Sequence, residues 1–278
     1  MRAAEILDLD TLVFLEPSFA DLTEPIFTAE AVAIPATEAR LLLSENDLPL
    51  AVAFSDGEGW WATSFLFRDP TRELLEKFED LDGDLYQESR DTWLRAVREY
   101  FALQIRQEVT PALEDLPPYR SDLIRDLVAD LFAGGAGLPC LDCCCGSGVG
   151  SAVLRSLAMQ PLSYDNDPSL LSLGLATGLL LPGETMCLDG TRASRYLDPL
   201  PRGAAFMLGA IDAYSRETWE QIVEELLGLT DETLMTVGTE EEAGIVEEWC
   251  RRQSRAVEVS ENDRDPIYDR WVILARKG

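Results

Sequence analysis

The sequence predicts an α/β protein with a doubly wound, mostly parallel seven-stranded sheet that closes with an antiparallel hairpin. Three observations predict this fold class. From residue 139 onward, short apolar runs alternate with helical stretches, which is the pattern of parallel strands covered by helices on both faces. A glycine-rich turn follows the first of these runs. The last two strand candidates have no helix between them, so one of them must run antiparallel to its neighbour.

The first part of the chain, residues 1–118, is predicted as a β-rich and then helical extension. Turn-forming residues separate four short strand candidates, which are TLVFL (11–15), AVAIPA (31–36), LPLAVAF (48–54) and WWATSFLF (60–67). Apolar residues then recur at helical spacing within 70–80 and 88–109. Two prolines at 117 and 118 break the chain, and we place the domain boundary directly after them.

The second part, residues 119–278, carries the alternating pattern. A helix over 121–132, with Ser121 as its N-cap, precedes the sheet. The seven strand candidates are 139–145, 161–165, 185–189, 204–211, 233–238, 256–260 and 270–276. The helix candidates between them are 149–159, 168–181, 216–228 and 240–253, with a further short helix after the third strand.

The charge of the chain limits its partners. Acidic residues outnumber basic ones by 51 to 23, which gives a net charge of −28, and there is no histidine to serve as a base or a metal ligand. A phosphate backbone would be repelled at long range, so nucleic acid is a poor candidate partner. The chain has two lysines against 21 arginines, and two explanations stay open, adaptation to a salty cytoplasm or a GC-rich genome that favours arginine codons.

The distribution of apolar residues predicts a cytoplasmic protein. No apolar run reaches the roughly 20 residues that a membrane helix needs. Acids also interrupt the N-terminal segment where a signal peptide would have its apolar core. We therefore expect no membrane partner, and the oligomeric state stays open.

The residues with the clearest chemistry follow the first three strands of the second domain. The first turn reads LDCCCGSGVGS (141–151), and its glycines permit positive φ and close approach of a ligand to the backbone. Asp165 ends the second strand, 19 residues after Gly146, where a carboxylate can bind both hydroxyls of a ribose. Asp189 ends the third strand, where the edge of an adenine would lie.

The segments LDCCCGSGVGS, YDNDP and CLDGT resemble the successive cofactor motifs of class I S-adenosylmethionine-dependent methyltransferases, and the resemblance covers roughly residues 119–278. It implies S-adenosylmethionine as the cofactor. The methionine part would lie at the glycine turn, the ribose at Asp165 and the adenine at Asp189. The implied cofactor-binding residues are Asp142, Cys145, Gly146, Ser147, Gly148, Asp165, Asn166, Asp189 and Gly190. Cys144 stands where the family has its first glycine.

Two other functions and a structural explanation stay open. Gly146-x-Gly148-x-x-Ser151 is close to the dinucleotide fingerprint of nicotinamide-dependent oxidoreductases, although its third position is serine. A non-catalytic scaffold or sensor that binds S-adenosylmethionine is the second alternative. The turn and the acids also have structural explanations, as strand-to-helix packing and as helix N-caps.

The acceptor end of a methyltransferase site would lie beyond the fourth strand. Asp212 and Tyr214 are the candidate catalytic residues there, since Asp212 can orient or deprotonate an acceptor and Tyr214 can hydrogen-bond to it. The alternative is that Asp212 caps the loop and Tyr214 packs. The Asp/Asn-Pro-Pro-aromatic motif of enzymes that methylate bases or glutamine is absent from this position. We therefore expect a small molecule or a basic protein segment as the acceptor.

Four cysteines crowd the first strand of the second domain, at positions 140, 143, 144 and 145. Alternate residues of a strand point to opposite faces, so these thiols cannot converge on one metal ion. We expect buried structural thiols and no metal. Cys145, at the turn, is the one whose thiol would meet solvent.

Overall fold

The computed structural model describes residues 2–114, 117–132 and 134–278. The chain forms two compact units, Met1–Leu103 and Gln104–Gly278. The division falls inside helix α4 (Arg90–Glu108), whereas the sequence places the domain boundary between residues 118 and 119.

The first unit contains a five-stranded sheet in the order β1-β4-β3-β2-β5. The strands are β1 (Val13–Phe14), β2 (Glu38–Leu43), β3 (Pro49–Ser55), β4 (Trp60–Ser64) and β5 (Asp84–Gln87). The helices that precede α4 are α1 (Ala3–Ile6), α2 (Ile26–Ala33) and α3 (Arg72–Asp80), and Phe19–Thr23 forms a 3-10 turn. The predicted β-rich and then helical extension is therefore observed.

One local prediction in this unit is wrong, and one strand is not predicted at all. AVAIPA (31–36) is not a strand, because its first three residues end helix α2 and Pro35 follows that helix. The helix sequence IFTAEAVA holds three alanines, which favour helix. Strand β5, DLYQ, has no prediction because three of its four residues are exposed, and an exposed edge strand carries no apolar pattern.

A buried ion pair lies in the core of this unit. The Glu16 side chain is fully buried and pairs with the Arg68 guanidinium. Its Oε1 also accepts hydrogen bonds from the Thr63 hydroxyl at 2.7 Å and the Ser64 amide at 3.1 Å. A buried carboxylate is tolerated when it has such partners, so these bonds explain how a charge can lie among apolar side chains.

The second unit contains the seven-stranded sheet, in the order β11-β12-β10-β9-β6-β7-β8. The strands are β6 (Pro139–Cys143), β7 (Gln160–Asp165), β8 (Thr185–Cys187), β9 (Leu200–Ala205), β10 (Thr230–Val237), β11 (Arg255–Glu261) and β12 (Trp271–Lys277). Neighbouring strands are parallel except for β12, which is antiparallel to both β10 and β11. The predicted doubly wound sheet with a closing antiparallel hairpin is confirmed.

Helices cover this sheet. They are α5 (Arg120–Leu131), α6 (Val149–Ser156), α7 (Pro168–Thr177), α8 (Arg216–Leu229) and α9 (Glu240–Arg252), with 3-10 turns at Pro182–Glu184 and Gly190–Arg195. Apolar residues of α5 and α6, such as Ile124 and Leu154, share a core with Leu234 of β10 and Leu274 of β12. All residues from Thr233 to Val237 are buried, as expected for a strand covered on both faces.

Two predicted boundaries shift. The fourth strand of the sheet runs over Leu200–Ala205 and not over 204–211, because the chain leaves the sheet at Phe206 and Met207 takes a φ of 57°. Helix α5 begins at Arg120, so Ser121 lies inside it and is not its N-cap.

Among the described residues, no helix combines the length and the apolar character that a membrane crossing requires.

Candidate functional site

A cavity of about 530 Å³ lies at the carboxyl edge of the seven-stranded sheet. The turn after β6, the ends of β7, β8 and β9, and the start of α8 contribute to its wall. It brings together most of the predicted cofactor residues, namely Asp142, Cys145, Gly146, Ser147, Asp165, Asn166 and Gly190. Gly148 and Asp189 do not line it. Ligand sites of open α/β sheets are found at this edge.

The turn after β6 depends on left-handed backbone conformations. Cys144, Gly146 and Gly148 have φ values of 53°, 54° and 87°. Gly148 does not line the cavity, and a Cβ on it would lie 2.5 Å from the Leu180 side chain. Cys144 adopts its conformation without being glycine, at a cost of about 1–2 kcal/mol. The turn therefore keeps the geometry predicted for it although cysteine replaces the first glycine.

Helix α7 packs directly against this turn. A Cβ at Gly174 would lie only 2.4 Å from the Ser147 carbonyl oxygen, so no other residue permits this approach without displacing the turn. Gly174 is not among the predicted site residues, because a single glycine inside a helical pattern does not reveal which backbone atom it faces.

Asp165 is held by the backbone at the end of β7 and is only 8% exposed. Its Oδ2 accepts the Gly146 amide at 2.8 Å, and its Oδ1 accepts the Asp167 amide at 2.9 Å. Burial raises the pKa of this carboxyl, and these two hydrogen bonds oppose the rise. A carboxylate oxygen has two lone pairs, so each oxygen can accept one further hydrogen bond.

Asp142 lies beneath the turn and is 1% exposed. Its Oδ2 accepts the Ser151 hydroxyl at 2.5 Å, and that hydroxyl lies 2.7 Å from the hydroxyl of Ser163. Burial raises the pKa of Asp142 to about 7, although the Ser151 hydrogen bond opposes this. The carboxyl group is therefore poised to change its charge near neutral pH.

Of the three residues predicted to lie at the adenine, two line the cavity and one does not. Asn166 is exposed at the wall of the cavity, and Gly190 is buried against Ile222 of α8. Asp189 is exposed, and its Oδ1 accepts the amide and the hydroxyl of Thr191, each at 2.9 Å. It is the N-cap of the 3-10 turn that follows. An adenine contact at Asp189 stays a prediction.

The two candidate catalytic residues lie outside the cavity. Asp212 is exposed, and its Oδ1 accepts the amides of Tyr214 at 2.8 Å and Ser215 at 3.0 Å. These hydrogen bonds lower the pKa of Asp212. Tyr214 is 96% exposed. Ser215 does line the cavity, so the loop reaches it while the catalytic roles of the two residues stay predictions.

Arg120 lines the cavity and is not among the site residues predicted from the sequence. Its buried guanidinium binds Oδ2 of Asp269 at 3.3 Å and lies 5.2 Å from the centre of the Tyr268 ring. The Thr236 hydroxyl donates to Oδ1 of Asp269 and accepts the Met207 amide at 2.7 Å. These bonds connect α5 to the loop after β9. Arg120 and Asp269 are 149 positions apart, so no local pattern could pair them.

The burial of the cysteines depends on their positions in strand β6 and in the turn after it. Cys140 and Cys143 are buried, while Cys144 and Cys145 are half-buried, and no group of potential metal ligands is present among the described residues. The contact with the Cys143 thiol and burial raise the pKa of Cys144 well above its usual range. Burial does the same to Cys145, which lines the cavity.

We predict that these thiols react slowly in the native protein, because only the thiolate is nucleophilic. With Ellman's reagent at pH 7.5, the six cysteines should react far more slowly than after unfolding in guanidinium chloride. Protein purified without chelators should contain no stoichiometric zinc or iron. Fast native labelling of two or more thiols, or a bound metal, would contradict the prediction.

The known proteins that match this chain are solved structures. No protein-family model matches the chain, and no curated protein sequence matches it. Magnesium protoporphyrin IX methyltransferase from Synechocystis PCC 6803, solved with bound SAM, is 15% identical with a TM-score of 0.48, over 66% of this chain and 97% of that one. Precorrin-6y C5,15-methyltransferase from Geobacter metallireducens GS-15 is 13% identical with a TM-score of 0.44, over 62% and 95%. An rRNA methylase from Streptococcus thermophilus is 15% identical with a TM-score of 0.41, over 60% and 99%.

The strand order itself identifies the fold. Five parallel strands with the glycine turn after β6 are followed by the antiparallel strand β12, inserted between β10 and β11. This is the sheet that the resemblance of the three motifs implies. The Gln104–Gly278 unit therefore has the class I methyltransferase-like fold.

Proposed function

We propose that the Gln104–Gly278 unit binds S-adenosylmethionine in the cavity and transfers its methyl group to a small-molecule or protein acceptor. The observation that carries this proposal is the Asp165 carboxylate. Two backbone amides hold it beside the glycine turn, and each oxygen keeps a lone pair for one hydroxyl of a ribose. The ribose is shared by the cofactor and its demethylated product, so both should bind.

The residues around Asp165 suit the rest of the cofactor. Apolar side chains of Leu170, Leu188 and Ile222 line the cavity next to Asn166 and offer surface for an adenine ring. On the other side of Asp165, the turn at Gly146 and Ser147 precedes α6, whose N-terminus offers amide donors to a carboxylate. Asp142 lies below this turn and, in its ionised form, favours a positive group there.

When bound, S-adenosylmethionine supplies a sulfonium methyl group that is already activated. The chain therefore has to hold cofactor and acceptor in line and keep water away, and positioning of this kind supplies much of the rate of a group transfer. Phe206, Met207 and Trp219 line the part of the cavity next to the loop after β9. We assign the acceptor to this side. The acidity of the chain argues against nucleic acid as the acceptor.

Calorimetric titration with S-adenosylmethionine, S-adenosylhomocysteine and NADH tests the proposal. We expect the first two to bind with similar affinity and NADH to show no heat of binding. Binding of NADH alone would replace the proposal with the oxidoreductase alternative. Binding of the cofactor without turnover on any amine, hydroxyl or thiol acceptor would favour the scaffold alternative.

Asp165→Ala should weaken S-adenosylmethionine and S-adenosylhomocysteine alike. Removing one partner of a hydrogen bond to a charged group costs about 1.5–3 kcal/mol, which corresponds to a loss in affinity of about 10- to 150-fold. The dissociation constants from calorimetry measure this effect.

Asp231→Ala is the matched control. Asp231 lies at the opposite edge of the sheet in an exposed ion pair with Lys277, so its loss should leave both affinities unchanged. Circular dichroism checks that each variant is folded. Wild-type affinity in a folded Asp165→Ala variant would remove Asp165 from the site.

A further inference from the structure

Exposed apolar side chains are concentrated at one edge of the second unit. Seven large apolar side chains are exposed among its described residues. Five of them form what we call the apolar rim, which consists of Leu113, Tyr119, Met207, Tyr214 and Ile267. The other two, Leu138 and Leu181, lie at the opposite edge, shortly before β6 and β8. Single exposed apolar residues are ordinary, but a concentration of them marks a binding surface.

The apolar rim borders the mouth of the cavity. Met207 lines the cavity itself. Leu113, Tyr119 and Tyr214 each directly precede a lining residue in the chain, namely Glu114, Arg120 and Ser215. Ile267 precedes Tyr268, whose ring stacks on the Arg120 guanidinium. The rim residues therefore come from three loops, before α5, after β9 and after β11, that meet at the same opening.

The size of the cavity agrees with a second molecule that extends to the rim. At about 530 Å³ the cavity lies within the range of about 300–1,000 Å³ that holds one drug-sized ligand. S-adenosylmethionine is a ligand of that size. An acceptor that meets the cofactor must therefore leave part of its body outside, in contact with the rim.

The charge at the opening selects among acceptors. Of the four carboxyl groups that line the cavity, those of Asp142 and Asp165 are buried, and those of Glu114 and Asp167 are accessible and supply the charge at the opening. Among the described lining residues the one arginine is Arg120, and its guanidinium is bound to Asp269. An anionic acceptor would be repelled by this opening, and a cationic one attracted.

Resting on the proposed function, we infer that the methyl acceptor is a small hydrophobic amine, with its apolar body on the rim and its amino group at the acidic opening. The ammonium form binds at the opening and gives one proton to water, so that the amine reaches the cofactor in its neutral form. Its lone pair bonds to the methyl carbon while the carbon–sulfur electrons return to sulfur, which leaves S-adenosylhomocysteine. The methylated ammonium then gives one proton to water.

Three probes with the same body and different head groups test this inference. They are 4-phenylbutylamine, 4-phenylbutanol and 4-phenylbutyrate, titrated by calorimetry into the full chain with and without saturating S-adenosylhomocysteine. We expect the amine to bind most tightly and the carboxylate at least about tenfold more weakly, the factor that corresponds to 1.4 kcal/mol. Equal affinity for the three head groups, or no binding of the amine, would overturn the inference.

Paired variants locate the site. Met207→Ser with Tyr214→Ser should weaken binding of the amine about tenfold, because two apolar contacts are lost. Leu138→Ser with Leu181→Ser is the matched control, since these leucines are 37% and 39% exposed at the opposite edge, and it should bind as the wild type does. Equal loss in both pairs, or none in the rim pair, would overturn the inference. Failure of S-adenosylhomocysteine to bind would count against the proposed function alone, because the probes are also titrated without it.

Discussion

Replacing Arg120 with methionine should lower the free energy of unfolding by about 3–5 kcal/mol, the usual effect of removing one partner of a buried ion pair. The side chains of Arg120 and Asp269 are 8% and 2% exposed. Methionine fills much of the same space but leaves the Asp269 carboxylate with only the Thr236 hydroxyl among its described side-chain partners. Urea denaturation followed by circular dichroism measures the difference from the wild type.

Two further variants separate the ion pair from packing. Arg120→Met combined with Asp269→Leu removes both charges and should recover most of the lost stability. Arg125→Met breaks an exposed pair with Asp122 on the same helix and should cost no more than about 1 kcal/mol. A loss below about 1 kcal/mol for Arg120→Met alone would show that the Asp269 charge needs no such partner.

Asp142→Asn should remove a large part of the pH dependence of stability. The native state keeps a proton on Asp142 up to its pKa of about 7, whereas the unfolded chain loses it near pH 4. Because the native state binds more protons between these values, stability falls as pH rises from about 4 to 7 and stays low above it. A shift of about three units corresponds to about 4 kcal/mol, which is lost in the wild type and kept in the variant.

Urea denaturation at several values between pH 5 and 8 measures this difference. Asp165, whose pKa burial also raises, is present in both proteins, so comparing them isolates Asp142. Asp263→Asn, at an exposed aspartate, is the control and should follow the wild type. Parallel curves for wild type and Asp142→Asn would mean that Asp142 is ionised throughout this range.

Most of the second unit could be predicted from sequence because inner strands such as β6, β7 and β10 are largely buried. Such strands form short apolar runs, and helices with clear periodicity separate them, so the order of elements follows from the pattern. The fourth strand was misplaced because AAFMLGAI stays apolar beyond the sheet. Phe206 and Met207 line the cavity there instead of extending β9. An apolar run does not distinguish a core strand from the wall of a ligand site.

The residues of the candidate site also fall into two groups, those that local sequence predicts and those that it does not. Asp142, Asp165 and the glycine turn are adjacent to strand ends, so local sequence places them at the edge of the sheet. Arg120, Gly174 and the rim residue Ile267 depend on contacts between distant segments, and no local pattern encodes those. Asp212 and Tyr214 are predicted from residue type, and the loop between β9 and α8 leaves both side chains exposed, so their catalytic roles stay predictions.

The insertion of β12 between β10 and β11 has a consequence for synthesis on the ribosome. All other strands of this sheet emerge first, so the nascent sheet lacks an inner strand and not an edge strand. Until residues 271–277 are available, the apolar β10 presents an open edge, and such edges promote association between chains. Asp269 also emerges late, so Arg120 has no anionic partner there during translation. Completion of the hairpin is therefore the step that changes a partly built, aggregation-prone chain into the finished unit.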